Sequence, residues 1–187
     1  MEEDIKKAVE VLKSGGTILY PTDTIWGIGC DATNNKAVQK VIQIKNRPKE
    51  LSFIVLLDDS RKITEYVEEV PDILWDLLES FDTPTTVIYP KAKKLSKLAI
   101  AADGSIAIRI ARDEFCHELI HAFNKPIIST SANFSGEPSP VMFKDISDEL
   151  KKKVDYVVQT NQSRLNKVKA STIIRLKMNG EFEVVRY

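Results

Sequence analysis

The chain is poor in the residues on which disulfide and metal chemistry depend. Its 187 residues include two cysteines, Cys30 and Cys116, which lie far apart and show no Cys-x-x-Cys spacing. Two such thiols are more typical of buried or incidental cysteines than of a disulfide, and they fit a reducing compartment. Only two histidines are present, so a zinc site would need a carboxylate as its third ligand.

A dominant charge and long apolar runs are also absent. Lys and Arg together number 27, as do Asp and Glu, so the balance gives no argument for binding nucleic acid or a membrane surface. No apolar run approaches membrane-spanning length, and the acidic start Glu2-Glu3-Asp4 leads into no apolar signal region. We therefore expect a cytoplasmic protein without membrane association. With 43% hydrophobic residues, the chain suits a single domain over residues 1–187.

Helical and strand patterns alternate along the chain. Apolar residues at helical spacing from Ile5 to Leu12 predict a first helix that ends at Gly15-Gly16. Asn179-Gly180, between two alternating segments, predicts a hairpin. We therefore expect an α/β (α+β) fold with a twisted mixed β-sheet flanked by helices. Further strands are expected at 17–20, 53–57, 85–89, 105–110, 126–129, 156–159 and 171–176, and further helices at 34–48, 60–70, 71–81, 113–123 and 144–153.

Two polar loops follow apolar strand patterns, as in ligand sites of open α/β sheets. In the first, residues 21–29, an extended course would point the hydroxyls of Thr22 and Thr24 to one side. In the second, residues 129–136, Ser129, Ser131 and Asn133 would share one face. The alternative is that each loop is only a polar turn that ends a strand. This alternative is less convincing for the second loop than for the first. Such side chains can hold a phosphate, a ribose or an amino acid.

Three cations are candidates for binding an anion. Lys45 and Arg47 lie where a predicted helix ends before Pro48, although cations are favoured at any helix C-terminus. Arg109 interrupts an apolar strand, and a buried arginine is costly unless it is paired. It should therefore face either a ligand or a structural carboxylate.

A zinc-protease pattern occurs in His117-Glu118-Leu119-Ile120-His121. The buried stripe of this predicted helix contains Leu119 and Ile120, which turns both histidines toward its polar flank. We interpret them as surface residues and expect no metal site.

With these residues in view, the chain resembles the YrdC/Sua5 family of threonylcarbamoyl-AMP synthases from about residue 17 to residue 186. The resemblance implies a twisted mixed α/β sheet with a concave polar surface. It rests on five motifs in the family order: Tyr20-Pro21-Thr22-Asp23-Thr24, Lys45-x-Arg47-Pro48, Ser105-Ile106-Ala107-Ile108-Arg109, Ser131-Ala132-Asn133-x-Ser135-Gly136 and Ala170-Ser171-Thr172-Ile173.

The resemblance implies condensation of L-threonine, bicarbonate or CO2, and ATP to threonylcarbamoyl-AMP, with release of pyrophosphate. Mg²⁺ would accompany the triphosphate. The product would pass to a separate tRNA threonylcarbamoyl transferase machinery. The family pattern assigns threonine to Thr22, Thr24, Arg109 and Ser129. It assigns ATP to Lys45, Arg47, Ser105, Ser131, Asn133, Ser139, Ser171 and Arg186, with Lys45 and Arg47 also catalytic.

Two alternatives stay open. The chain departs from the family pattern at Asn46, at Leu51-Ser52-Phe53 and at residues 81–86. A non-enzymatic module with weak RNA binding is one alternative, which the zero net charge disfavours. Carbamoyl transfer in hydrogenase maturation is the other, but its paired Cys-x-x-Cys motifs do not occur in this sequence.

Overall fold

A computed structural model describes residues 1–46, 53–163, 171–177 and 179–186. Within these ranges the helices are α1 Glu2–Lys13, α2 Asn35–Lys45, α3 Ile63–Tyr66, α4 Ile73–Ser80, α5 Glu114–Phe123 and α6 Asp148–Lys153. The strands are β1 Ile18–Tyr20, β2 Gly27–Gly29, β3 Ile54–Leu57, β4 Thr85–Tyr89, β5 Ile106–Ile110, β6 Ile127–Ser131, β7 Tyr156–Val157, β8 Thr172–Leu176 and β9 Phe182–Arg186.

All these strands join one mixed sheet in the order β7-β1-β2-β6-β3-β5-β4-β8-β9. The pairs β1–β7, β3–β5 and β4–β8 are parallel, and the other neighbouring pairs are antiparallel. The predicted mixed sheet is therefore confirmed, as is the terminal hairpin, which consists of β8 and β9.

Side-chain caps fix the ends of two long helices. The amide oxygen of Asn34 accepts hydrogen bonds from two main-chain N–H groups in the first turn of α2. Asn46 then ends α2 in the left-handed conformation, with φ of 50°. Asp113 caps α5 in the same way as Asn34, by accepting from the N–H of Cys116 at 2.9 Å. The helix end predicted at Pro48 thus falls two residues earlier, at Asn46.

The strand β2 was not expected, because the sequence Gly-Ile-Gly indicates a loop. Its pairing with both β1 and β6 overrides that local preference. Gly29 fits between its neighbours because a Cβ there would lie 2.7 Å from a ring carbon of Tyr20 and 2.8 Å from the Ile128 oxygen. The close packing of three strands therefore requires glycine at this position.

Two predicted helices are shorter in the structure than expected. The helix expected at 60–70 consists of a turn of 3-10 helix and the four-residue α3. The helix expected at 144–153 begins only at Asp148. Tertiary contacts end α3 early, since Tyr66 and Glu68 hydrogen-bond main-chain groups of Lys93 and Lys91. None of the helices within the described ranges is long and apolar enough to cross a membrane.

The two faces of the sheet pack against different helices. Val55 and Ile108 point into a core that includes α2, α3 and α4. Leu56 and Ile127 point the other way, into a smaller core with α1 and α5. Arg109 is paired in register with Leu56 and therefore projects from this second face. Helices α1 and α5 cover only part of that face, and the remainder carries the cavity described next.

Candidate functional site

A cavity of about 240 Å³ lies across the centre of the sheet. Its walls come from both polar loops, from strands β3, β5 and β6, from Ser171 just before β8, and from Arg186 at the end of β9. None of the described residues that line it is acidic, and its charged groups are guanidinium groups. The lining residues are Thr22, Thr24, Ile25, Trp26, Gly27, Phe53, Ile54, Arg109, Ser129, Thr130, Ser131, Ser139, Ser171 and Arg186.

The threonines of the first loop turn their hydroxyls toward each other, as the alternation predicted. Thr22 Oγ1 donates to the main-chain oxygen of Ile25 at 2.6 Å, and it lies 3.0 Å from Thr24 Oγ1. Because the one hydroxyl proton of Thr22 is already used, Thr24 must be the donor in the second contact. Thr24 therefore presents only lone pairs to the cavity and accepts an N–H or O–H group from a ligand.

A buried lysine holds the second loop. Lys45 is 2% exposed, and its Nζ donates to the main-chain oxygens of Ser131 at 2.5 Å and Asn133 at 2.7 Å. Its main-chain oxygen also accepts a hydrogen bond from Ser135 N–H at 2.9 Å. The end of helix α2 thus fixes the loop that follows β6.

Side-chain hydrogen bonds complete this loop. Ser131 Oγ donates to Asn133 Oδ1 at 2.5 Å, and Asn133 Nδ2 donates to the main-chain oxygen of Glu137. Ser131 is left with lone pairs toward the cavity, as Thr24 is. Asn133 does not line this cavity but an adjoining one that shares Ser139 with it, and its amide oxygen holds the Ser131 hydroxyl.

Arg109 lies at the floor of the cavity and is paired with Asp23. Its Nη2 is 3.1 Å from Asp23 Oδ1, and the two side chains are 4% and 9% exposed. Among the residues that the structure describes, neither Nε nor Nη2 of Arg109 has a hydrogen-bond partner, and both atoms are fully buried. Nη1 is consequently the nitrogen available to a ligand in the cavity. The structural carboxylate that the sequence left open is Asp23, a residue for which no partner was predicted.

Burial and neighbouring charges act in opposite directions on the pKa of Asp23. Burial raises the pKa of Asp23 above its ordinary value, Arg109 opposes this rise, and Asp113 adds to it. Burial likewise raises the pKa of the Cys116 thiol, whose Sγ–H donates to the Pro21 main-chain oxygen at 3.2 Å. Cys116 is therefore a packing residue behind the first loop.

The cavity wall opposite the two polar loops contains Ser171, which precedes β8, and Arg186, the last residue of β9. Thr86 Oγ1 and Ser171 Oγ are 2.8 Å apart, and both residues are buried. The guanidinium group of Arg186 donates to the main-chain oxygen of Ser171 at 2.9 Å. Thr86 also pairs in register with Arg109 and so links the two walls. Sequence reasoning missed Thr86, although its neighbouring threonine and strand pattern were visible.

Three predicted ATP-binding residues do not line the cavity. Ser105 precedes β5 at the end opposite Arg109, about 13 Å away along the strand, and its hydroxyl donates to Asp103 Oδ1 at 2.6 Å. The expected contact of Ser105 with ATP does not fit this position. Lys45 and Asn133 lie behind the wall, where they hold Ser131. Arg47 lies outside the described residues.

The histidines of the protease-like motif are on the surface, as predicted. Their side chains are 48% and 71% exposed for His117 and His121, and the rings stack 6.2 Å apart. His121 Nδ1 is 3.3 Å from Asp58 Oδ2. No group of three potential metal ligands occurs within the described part of the chain.

The fold and cavity define a class of α/β protein with a polar cavity on an open face of a mixed sheet. A family model for Sua5/YciO/YrdC proteins, described as "Telomere recombination", matches residues 10–187. The chain belongs to this family. It is 34% identical over 181 residues to the threonylcarbamoyl-AMP synthase of Riesia pediculicola, and the match covers 95% of both chains.

Solved structures agree with this assignment. E. coli YciO superposes with a TM-score of 0.85 at 25% identity, over 100% of this chain and 89% of YciO. Sua5 of P. abyssi in complex with L-threonine gives a TM-score of 0.86 at 25% identity. That match covers 94% of this chain and 52% of Sua5, so this chain spans about half the length of that relative.

Proposed function

We propose that this protein is a threonylcarbamoyl-AMP synthase, a nucleotidyltransferase that consumes L-threonine, bicarbonate or CO2, and ATP. The observation that carries the proposal is that one cavity contains Arg109 and Thr24 together with Ser131, Ser139 and Arg186. An amino-acid subsite and a nucleotide subsite are thus contiguous. The relative from Riesia pediculicola, similar over nearly its whole length, carries the same name.

Threonine lies at the floor of the cavity in this proposal. Arg109 Nη1 receives the substrate carboxylate, since an arginine–carboxylate contact is charge-assisted and directional. Thr24 accepts a hydrogen bond from an N–H or O–H group of the substrate, because its own proton is directed to Thr22. Ser129 lies on the adjoining strand β6, where the family pattern places a further threonine contact.

ATP occupies the space from Ser131 and Ser139 to the wall formed by Ser171 and Arg186. Arg186 is the exposed cation of that wall and suits either a phosphate or a ribose hydroxyl. Lys45 contributes by holding Ser131 in place, and a direct contact with phosphate would require it to leave the carbonyl oxygens that now bind it. Arg47 keeps its proposed phosphate role from the family pattern.

The chemistry needs positioning and charge stabilisation rather than a protein nucleophile. The neutral amine of threonine forms a bond with the carbon of CO2, one C–O π bond opens onto its oxygen, and the nitrogen releases a proton to solvent to give a carbamate. A carbamate oxygen then attacks the α-phosphorus of ATP, the bond from that phosphorus to the bridging oxygen breaks, and pyrophosphate leaves. Fixed cations around the triphosphate stabilise the charge that develops on the departing group.

Mg²⁺ enters as part of the nucleotide substrate. The described lining residues offer hydroxyl groups and no carboxylate, so this part of the cavity wall supplies no charged ligand for a resident metal ion. Phosphate oxygens of ATP would therefore hold the ion. The adenylate product would then serve a separate transferase that modifies tRNA.

Direct detection of the product tests this function. The purified full chain is incubated with ATP, Mg²⁺, L-threonine and isotopically labelled bicarbonate, and the nucleotides are analysed by mass spectrometry. We expect an adenylate that carries both threonine and the labelled carbon. Binding of RNA without formation of any such adenylate would favour the RNA-binding alternative.

A further inference from the structure

Asp23 is the one acidic residue of the first polar loop, residues 21–29. Its carboxylate lies next to Arg109, the residue at the cavity floor. Its neighbours Thr22 and Thr24 line the cavity, whereas Asp23 lies on the other side of the loop. Its Oδ1 is 3.1 Å from Arg109 Nη2. Neither carboxylate oxygen has a hydrogen-bond partner within the described residues. The contact with Arg109 is therefore an ion pair, and its main effect at the cavity is electrostatic.

The charges of Asp23 and Arg109 offset each other at the cavity floor, where both side chains are buried. Burial raises the pKa of Asp23, Arg109 opposes this rise, and Asp113 adds to it. Cys116 adds no charge, because burial and the nearby carboxylates raise the pKa of its thiol. Asp113 also caps helix α5, and Arg112 donates to main-chain oxygens of the α4 end, so both have structural duties. Asp23 has none of that kind.

We propose that Asp23 is a specificity-determining residue that makes the amino-acid subsite select a zwitterion over a simple carboxylate. This inference rests on the proposed function and deepens it. A cavity floor with no net charge loses little when a zwitterion enters. A simple anion instead leaves an uncompensated negative charge in a largely buried place, which is unfavourable. Without Asp23 the floor would be positive, and any carboxylate would be attracted to Arg109.

The proposal is tested with a pair of ligands that differ only in the amine. L-Threonine and (R)-3-hydroxybutanoate share the carboxylate, the hydroxyl and the methyl group. Their dissociation constants are measured calorimetrically on the full chain without ATP, and the ratio of the two constants is compared between variants. Asp23→Asn removes the charge and keeps the shape, Asp23→Ser is a second neutral variant, and Asp23→Glu keeps the charge.

We expect both neutral variants to shift the ratio toward hydroxybutanoate by about a hundredfold, the effect of a unit charge about 6 Å away at an effective dielectric constant of about 20. Asp23→Glu should keep a ratio close to that of wild type. Asp58→Asn is the matched control, because Asp58 is also buried and paired with a lysine, Lys62, at 2.9 Å, away from the cavity. Its ratio should not change.

A residue that merely supported the loop would weaken both ligands together and leave the ratio unchanged. That result in folded Asp23→Asn or Asp23→Ser protein would overturn the proposed role of Asp23. It would not contradict the proposal that the protein is a threonylcarbamoyl-AMP synthase. Wild-type protein that binds hydroxybutanoate as tightly as threonine would also overturn it. If wild type bound neither compound and made no adenylate, the proposed function itself would fail, and the inference with it.

Discussion

Lys45 at the end of helix α2 is bound to Asn133 in the loop after strand β6. Its Nζ lies 2.7 Å from the main-chain oxygen and 3.1 Å from Oδ1 of that residue. The same group lies 2.5 Å from the main-chain oxygen of Ser131. A buried ammonium group is stable only when its three protons are well bound, so this lysine and the loop depend on each other.

Replacing Lys45 with methionine should therefore disturb the loop. Removal of the donor deprives the main-chain oxygen of Asn133 of this hydrogen bond and leaves the Ser131 oxygen with the Asn133 N–H as its donor. We expect a loss of about 1–3 kcal/mol in the free energy of unfolding. The KM for ATP should rise more than that for threonine, because Ser131 belongs to the proposed nucleotide wall. Denaturant unfolding and steady-state kinetics measure both effects.

Lys40→Met is the control for this change. Lys40 is exposed and donates to one main-chain oxygen, that of Gly15, at 3.0 Å. It should unfold and turn over like wild type. Unchanged stability of Lys45→Met together with loss of turnover would assign Lys45 to direct contact with the reacting phosphates.

Arg109→Lys tests the carboxylate contact at the cavity floor. Lysine keeps the charge but loses the planar guanidinium, so threonine affinity should fall by about 1–3 kcal/mol. ATP binding without threonine should change far less. Calorimetric titrations with each ligand separate the two effects, and Arg61→Lys is the control at an exposed arginine that pairs with Asp59 away from the cavity. Equal losses for both ligands would make Arg109 a structural residue of the sheet.

Thr22→Val tests the direction of the hydroxyl hydrogen bonds. Valine has a similar shape but cannot accept from Thr24 or donate to the Ile25 oxygen, so the Thr24 proton loses its partner. We expect threonine binding to weaken by about 1–3 kcal/mol, with ATP binding unaltered. Thr64→Val, at an exposed position whose hydroxyl donates to one main-chain oxygen, is the control. Wild-type threonine affinity in Thr22→Val would contradict the assignment of Thr24 as an obligate acceptor.

The acid stability of the protein should depend on Asp4. Burial alone would raise the pKa of Asp4, but hydrogen bonds from Thr160, Tyr156 and Gln159 lower it below its ordinary value of 3.8. A carboxylate with a lowered pKa contributes stability above its unfolded pKa, and that contribution is lost as the pH falls through the folded pKa.

Asp4→Asn should therefore unfold more easily at neutral pH, by about 1–3 kcal/mol, and the difference from wild type should shrink below about pH 4. Glu2→Gln, an exposed acid in the same helical turn, should show no such difference. Denaturant unfolding across the acid range measures it. A difference that stayed constant with pH would mean that shape, not charge, accounts for the effect of Asp4.

Signals between near neighbours in sequence predicted most of the fold. Asn34 ahead of an apolar stripe indicated the start of α2, and Asn179-Gly180 indicated the hairpin, because caps and tight turns act over a few residues. The strand β2 was missed because its pairing partners, β1 and β6, lie on both sides of it in space. Glycine-rich strands of this kind are stabilised by tertiary contacts and not by local preference.

In the candidate site, too, local features could be predicted from the sequence and tertiary contacts could not. The two polar loops were each predicted to bind a ligand, and the structure brings them to one cavity. The pairing of Asp23 with Arg109 joins residues on separate elements, so no local pattern indicated it. Ser105 was assigned to ATP with its motif, but strand β5 places it and Arg109 at opposite ends. The order of residues in a motif does not show which of them lie at the same end of a strand as the ligand.

Release of pyrophosphate from ATP is the measurement that most directly tests the proposed synthase. The full chain with ATP, Mg²⁺ and bicarbonate at saturating concentrations should release pyrophosphate in proportion to added L-threonine until saturation, and only slowly without it. Arg109→Ala should raise the threonine concentration needed or abolish the response. Wild-type protein that released no pyrophosphate at any threonine concentration would contradict the assignment of this cavity to threonylcarbamoyl-AMP synthesis.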